Sequence, residues 1–358
     1  MPKSDAFDVR EIYTIAGPRI AAIYEQNKMA VHFQGMSKTL QFPQTVALQG
    51  APTCSIGISP YGLYNRLNDA GRLIMLNQKA IQFASAPFVR IGDKLTMLTQ
   101  AKPSASELPD DVPALRNYYP PSIAEKDVSL TIATPSMEMA FTIGKVKIIR
   151  RLISPLLSGN EQTLMPIGVE QYEVQNTSNT AQTITLVVPR PSLVNLQEKE
   201  LKPTDQDSVY ICSAPVHGHK HEAFESPSVR GVVMGSTESP NRMVLAAAEA
   251  PAVSIDTQPY FCLNRLVQDL LLNEDGSFYE KRQPALRSDY GSAISLTFTL
   301  KPKTTRKVAV AVALDFPEQV YIDGTKFERK YVKSFKDGAS RAVEMAGLAL
   351  NSYSQWWD

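Results

Sequence analysis

Apolar and polar residues alternate in short runs through most of this chain. Val128-Ser129-Leu130-Thr131-Ile132, Thr183-Ile184-Thr185-Leu186-Val187-Val188, Ile294-Ser295-Leu296-Thr297-Phe298-Thr299-Leu300 and Val308-Ala309-Val310-Ala311-Val312-Ala313-Leu314 are rich in β-branched residues. A period of two puts successive side chains on opposite faces of an extended backbone, so these runs predict strands. Asn176-Thr177-Ser178-Asn179 and Lys301-Pro302-Lys303-Thr304 separate pairs of them as polar turns. Between residues 108 and 336 helical periodicity is scarce, apart from a short segment around 263–272. The pattern predicts a mainly β fold, a large two-sheet antiparallel sandwich from about residue 30 to 320. Residues 101–121, with five prolines, read as a surface excursion between strands.

Near the C-terminal end the period changes. Apolar residues at 339, 342, 343, 346, 349, 350, 353, 356 and 357 keep the i, i+3, i+4, i+7 spacing of one helical face. Both tryptophans, Trp356 and Trp357, fall in its last turn. A face of this kind needs cover, either from its own domain or from a neighbour. In the second case Val343, Ala346, Leu350, Tyr353, Trp356 and Trp357 are the residues expected to dock a protein partner or a second copy of the chain.

Composition narrows the function classes. The 358 residues are 43% hydrophobic and 20% charged, and 37 basic against 36 acidic residues leave a net charge of +1. This is a globular protein with no electrostatic footprint for nucleic acid. The opening Met1-Pro2-Lys3-Ser4-Asp5 lacks a basic stretch leading into an apolar one. No run of about eighteen apolar residues occurs, so no transmembrane segment and a soluble, cytoplasmic protein are expected. Cys54, Cys212 and Cys262 stand far apart and suit reduced, buried thiols.

Candidate chemistry is sparse. His217, His219 and His221 alternate and are followed by Glu222, which in an extended backbone would turn three imidazoles to one side, as in a facial metal site. The neighbouring Pro215, Gly218 and Pro227 favour a solvated loop instead, and neither metal nor cofactor is expected. His32 reads as a strand residue. Carboxylate pairs of the sort that flank a glycosidic bond exist on paper as Asp110/Asp111, Glu222/Glu225 and Glu274/Asp275, all in turn-like contexts that solvation explains. Asp275-Gly276 and Asp323-Gly324 are turn dipeptides. No nucleophile elbow or phosphate-cradling loop is present in the sequence.

Leu152-Ile153-Ser154-Pro155-Leu156-Leu157, then Leu164-Met165-Pro166-Ile167-Gly168-Val169-Glu170-Gln171-Tyr172-Glu173-Val174-Gln175-Asn176-Thr177-Ser178, carry a family resemblance. The order of a Ser-Pro loop, a Leu-Pro-Val-like strand and an Asn-Thr-Ser turn resembles the N-terminal β domain of family 116 glycoside hydrolases, the β-glucosidase and non-lysosomal glucosylceramidase group. Gln82 to Val89, Gly231 to Ser236 and Leu314-Asp315-Phe316-Pro317 resemble further strands of that domain in order. Phe327 to Phe335 and the final helix look like the lead-in to that family's helical barrel, so the resemblance runs from about residue 50 to 358. The Gly-rich approach of the family is here Ala51-Pro52-Thr53-Cys54-Ser55-Ile56-Gly57.

The resemblance implies that the nucleophile and acid/base carboxylates lie on an (α/α)6 barrel outside this sequence, so no catalytic residue is assigned. It implies an N-terminal segment at 1–30, a sandwich at 31–325 and a linker with terminal helix at 326–358. The expectation is a non-catalytic domain or subunit of a β-glycosidase whose partner is the catalytic barrel, touching a glucoside only through it. The alternative is a structural subunit that docks through its last helix. Before residue 356 there is no indole to face a sugar, leaving Tyr61, Tyr64, Tyr118 and Tyr119 as stacking candidates.

Overall fold

The computed structural model describes residues 20–25, 28–34, 47–51, 54–59, 61–69, 72–76, 85–100, 120–133, 136–156, 159–194, 197–200, 210–213, 218–262, 272–279, 290–320, 325–335, 338 and 340–356. Within them the expected mainly β, antiparallel sandwich forms, with a C-terminal helix. One layer is a ten-stranded sheet. Its strands lie in the order Ile20–Glu25, Lys28–Gln34, Val128–Ala133, Ser136–Ile143, Val146–Ile153, Ile167–Asn176, Thr305–Asp315, Arg242–Ala248, Val229–Ser236 and His219–Glu225. The opposing layer is divided in two. A five-stranded sheet contains Ser254–Cys262, Tyr290–Leu300, Gln182–Pro191, Phe88–Ile91 and Lys94–Met97. A six-stranded sheet runs from Gln197–Glu200 through Tyr210–Ser213, Arg72–Met75, Tyr64–Asp69 and Cys54–Ile58 to Ala47–Ala51. Its pairing of Tyr210 with Ile74 is parallel, an exception to the antiparallel rule.

Alternation in the sequence becomes two-faced burial in the main sheet. Leu130, Met139, Ile148, Tyr172, Leu245 and Val310 point inward, to a core shared with Ile184 and Leu296 of the five-stranded sheet and Ile56 and Leu67 of the six-stranded one. The central strand Thr305–Asp315 is buried on both sides. Val308, Val310, Val312 and Leu314 fill the inner core, whereas Ala309, Ala311 and Ala313 face a second core on the outer side. Alanine there lets a helix backbone approach the sheet closely.

That helix is Arg341–Ser352, continued by a 3-10 turn Tyr353–Trp356. Ala342, Met345, Ala346, Ala349 and Leu350 pack on the alanine stripe together with Ile167, Val169 and Val244. Strands also lie toward both ends of the chain. The hairpin of Ile20–Glu25 with Lys28–Gln34 is the edge of the main sheet, and a two-stranded ribbon pairs Glu318–Val320 with Lys326–Glu328. His32 lies in a strand as expected. The segment 263–271 and the proline-rich 101–119 lie outside the described residues.

Candidate functional site

The terminal segment is stitched to the sandwich by charge as well as by apolar packing. Two acids close strands of different sheets: Asp69 ends Tyr64–Asp69 and Asp315 ends Thr305–Asp315. Arg329, which follows the ribbon, pairs with Asp69. Arg341, at the first turn of the helix, donates Nε–H to Asp315 Oδ1 at 2.8 Å, and the Tyr331 hydroxyl donates to the same oxygen at 3.0 Å. Burial, with the Asp315 charge beside it, pushes the Tyr331 phenol far up, so it stays protonated and keeps donating. Cys54 lies near this cluster, and burial raises its thiol to about 12, well away from a reactive thiolate.

At its far end the helix is held by Gln162. Its side-chain oxygen accepts from Trp356 Nε1 at 3.0 Å, and its amide lies 3.4 Å from the Ser352 hydroxyl. Gln171 on the main sheet donates to the Tyr353 hydroxyl at 3.2 Å. Beside these contacts opens a groove of about 560 Å³ lined in part by Leu156, Glu161, Leu164 and Lys330. Leu156 and Leu164 are 55% and 39% exposed, in contrast to the covered helix.

A second charged centre sits deep between the layers. Glu170 of the main sheet accepts from Arg150 Nε at 2.9 Å, pairs through its other oxygen with Arg190 of the five-stranded sheet, and takes the Tyr172 hydroxyl at 2.8 Å. All three charged side chains are fully buried. Burial alone would raise the Glu170 carboxyl, but the two guanidiniums outweigh it and hold it at about 2. Arg150 Nη1 also donates to the Gly62 carbonyl at 2.8 Å. Gly62 has φ +73°, and a Cβ there would stand 2.8 Å from that same nitrogen, so glycine permits the contact. The centre was not singled out in the sequence, where Glu170 and Tyr172 read only as strand residues. The one available signal was parity, since Arg150, Glu170 and Arg190 fall in line with the inward Ile148, Val174 and Val188 of their own strands.

The histidine run is not the expected solvated loop. His219–Glu225 is an edge strand paired with Val229–Ser236, and ladder bonding overrides the flanking coil formers. His219 and His221 do share a face, with rings 5.6 Å apart, while Glu222 points out to Lys220. His221 stacks on Tyr260 at 4.9 Å, and its Nδ1 lies 2.8 Å from the Pro259 carbonyl oxygen. Burial lowers its pKa to about 4, against the opposing pull of that carbonyl. His217 lies outside the described residues, among which no cluster of three metal-ligating side chains occurs.

The other sequence candidates scatter. Glu225 pairs with Arg230 on the surface, and Asp275 accepts from Ser277 in a tight turn. Tyr64 is fully buried, which removes it as a sugar platform, while Tyr61 is half-buried. Asp110, Asp111, Tyr118, Tyr119, Asp323 and Trp357 lie outside the described residues. Of the expected docking residues, Ala346, Leu350 and Trp356 are buried against the chain's own sheet, and Val343 and Tyr353 are half-buried beside them. The sandwich itself therefore occupies most of the face for which a neighbour was considered.

A family model described as beta-glucosidase 2, glycosyl-hydrolase family 116 N-term, matches residues 92–356. The match begins further along the chain than the resemblance at about residue 50. No curated protein matches in sequence. Similar solved structures include a protein described as a kojibiose phosphorylase from human microbiome, with TM-score 0.43 and 8% identity over 94% of this chain and 36% of that one. A bacterial glucoamylase complexed with acarbose gives TM-score 0.38 and 9% identity over 94% of this chain and 38% of that one. The chain thus spans little more than a third of either protein. No helix among the described residues is long and apolar enough to cross a membrane.

Proposed function

The chain belongs to the N-terminal domain family of glycosyl-hydrolase family 116, and we propose that it is the non-catalytic sandwich of a cytoplasmic β-glycosidase, packing against a catalytic helical barrel that lies outside this sequence. The observation that carries the reading is the family match over residues 92–356, which covers most of the main sheet and the terminal helix. The state of the buried carboxylates supports it. Glu170, Asp69 and Asp315 are each engaged by arginine, and Glu170 is held ionised far below the range useful to a general acid at neutral pH. Their role is structural.

The groove with Leu156 and Leu164 supports a neighbour at the corner next to the helix, since exposed leucines gathered at one groove suit a protein contact. The helix's own apolar face gives the alternative, an assembly subunit docking through that face, no comparable support. The test is reconstitution. The purified chain alone should hydrolyse no aryl β-glucoside, and mixing it with a separately produced family 116 barrel should yield a stable complex with activity above that of the barrel. Leu156→Asp with Leu164→Asp should weaken that complex. Turnover by the chain alone that disappears when one of its acidic residues is changed would sink the reading.

A further inference from the structure

We infer that the buried Arg150–Glu170–Arg190 centre binds a small monovalent anion, chloride under ordinary conditions, through donors that the protein itself leaves unmatched. Two guanidiniums face a single carboxylate here, and each of the three side chains has no solvent exposure. The centre therefore carries one surplus positive charge. An uncompensated buried charge is strongly unfavourable unless something neutralises it. The adjacent phenols do not supply the missing negative charge: burial pushes Tyr64 up to about 12, and Tyr172 moves up as well.

Donors are in surplus to match. Three of the roughly four acceptor sites of Glu170 are occupied, one by Arg190 on one oxygen and two by Arg150 and the Tyr172 hydroxyl on the other. Arg150 Nη1 is satisfied by the Gly62 carbonyl, and Arg190 Nη1 by the Ser85 and Pro189 carbonyls. Among the described residues Arg150 Nη2, Arg190 Nε and Gln49 Nε2 are buried with no well-formed hydrogen bond, Arg190 having the Tyr64 hydroxyl beside it. Gln49 belongs to the same centre, because its side-chain oxygen takes the Tyr64 hydroxyl at 3.2 Å and the Tyr64 ring lies 5.1 Å from the Arg190 guanidinium carbon. It is seated over Gly168, where a Cβ would come 2.1 Å from Gln49 Cγ, two residues before Glu170 on the same strand. Guanidinium and amide N–H groups with no competing acceptor select an anion, and complete burial selects one of monatomic size.

The test compares halide with a large anion at equal ionic strength. The full chain is unfolded and refolded in sodium chloride and in sodium gluconate series, and its thermal midpoint is measured in each. Chloride should raise the midpoint saturably by about 2–4 °C over gluconate, the response expected of a ligand that binds the native state alone. Gln49→Leu, which removes one unmatched donor and the acceptor of the Tyr64 hydroxyl but no charge, should flatten that dependence. Crystals grown in bromide should show one anomalous peak in contact with Arg150 and Arg190, a readout that holds even where the Gln49 variant fails to fold. Superimposable chloride and gluconate curves, or a water oxygen in place of the bromide, would overturn the inference.

Discussion

The two buried charge centres are built on different balances, one neutral and one with a base in excess. At the junction, Asp69 and Asp315 meet Arg329 and Arg341, two acids against two bases. In the interior, Glu170 alone meets Arg150 and Arg190. Position accounts for what each does. The interior centre joins the three large sheets at one point, with Glu170 and Arg150 from the ten-stranded sheet, Arg190 from the five-stranded and Tyr64 from the six-stranded one. The junction centre joins strand ends to the terminal segment. Buried ion pairs add little net stability over apolar packing, yet losing one partner is costly, so each centre acts chiefly to enforce one arrangement. The interior one fixes how the layers stack, and the junction one fixes where the helix lies.

The largest expected effect comes from breaking the interior. Glu170→Gln strands two guanidiniums with no carboxylate and should cost about 3–5 kcal/mol, read as a lower denaturant midpoint with unchanged slope. Replacing Glu170, Arg150 and Arg190 together by apolar residues of similar volume should restore most of that loss. A Glu170→Gln variant within about 1 kcal/mol of the parent would mean that the centre is not the constraint described.

A pH titration of stability separates the buried groups by window. His221 is a base whose folded pKa, about 4, lies below its ordinary 6.5. Its contribution is therefore complete above pH 6.5 and declines as pH falls toward 4, by about 3 kcal/mol if the ring must charge in place. Glu170, lowered from 4.5 to about 2, contributes fully above pH 4.5 and loses that contribution only below it. Acid unfolding should thus begin in the His221 window. His221→Phe should remove that first stage and leave the second, whereas an unchanged profile would shift responsibility to other groups.

Much of this fold was legible because alternation maps directly onto burial. Val308 to Leu314 shows it best: valine on one parity and alanine on the other marked a strand, and the same parity proves to separate the inner core from the helix side. The terminal helix was legible from its 3.6 period, but the occupant of its face was not. An apolar stripe on a helix and an alanine stripe on a strand carry no record that they meet. The charge centres were illegible for a similar reason: Arg150 and Glu170 stand 20 residues apart and Asp69 and Arg329 stand 260 apart, distances over which spacing says nothing. His219 and His221 were misjudged in context because proline and glycine nearby signal coil, while the ladder to Val229–Ser236 is a long-range contribution that local propensity cannot contain.

Breaking the junction should cost less and act locally. Asp315→Asn removes the charge that Arg341 and Tyr331 share and should destabilise the helix by about 2–3 kcal/mol, part of the loss being cushioned because the asparagine side-chain oxygen can still accept from both donors. Hydrogen exchange gives the decisive readout. Amides of Arg341–Ser352 should lose protection while those of the central strand Thr305–Asp315 keep theirs. Equal loss in both would show that the helix and the sandwich unfold as one unit.

The smallest effect tests whether charge or packing holds the helix. Ala311 is fully buried under the helix, and valine there adds two methyl groups where the helix needs close approach. Ala311→Val should cost about 1–2 kcal/mol through overpacking, with no charge altered, and the change should appear in the exchange of the same helix amides. Combining it with Asp315→Asn then separates the two contributions. If the ionic clasp and the alanine stripe hold the same docked state, a helix already released by the first change has nothing more to lose, and the double variant should fall short of the sum. Strict additivity would mean that the clasp and the stripe act on different parts of the terminal segment. Asp315 would then secure the Tyr331 turn, and Ala309, Ala311 and Ala313 alone would hold the helix against the sheet.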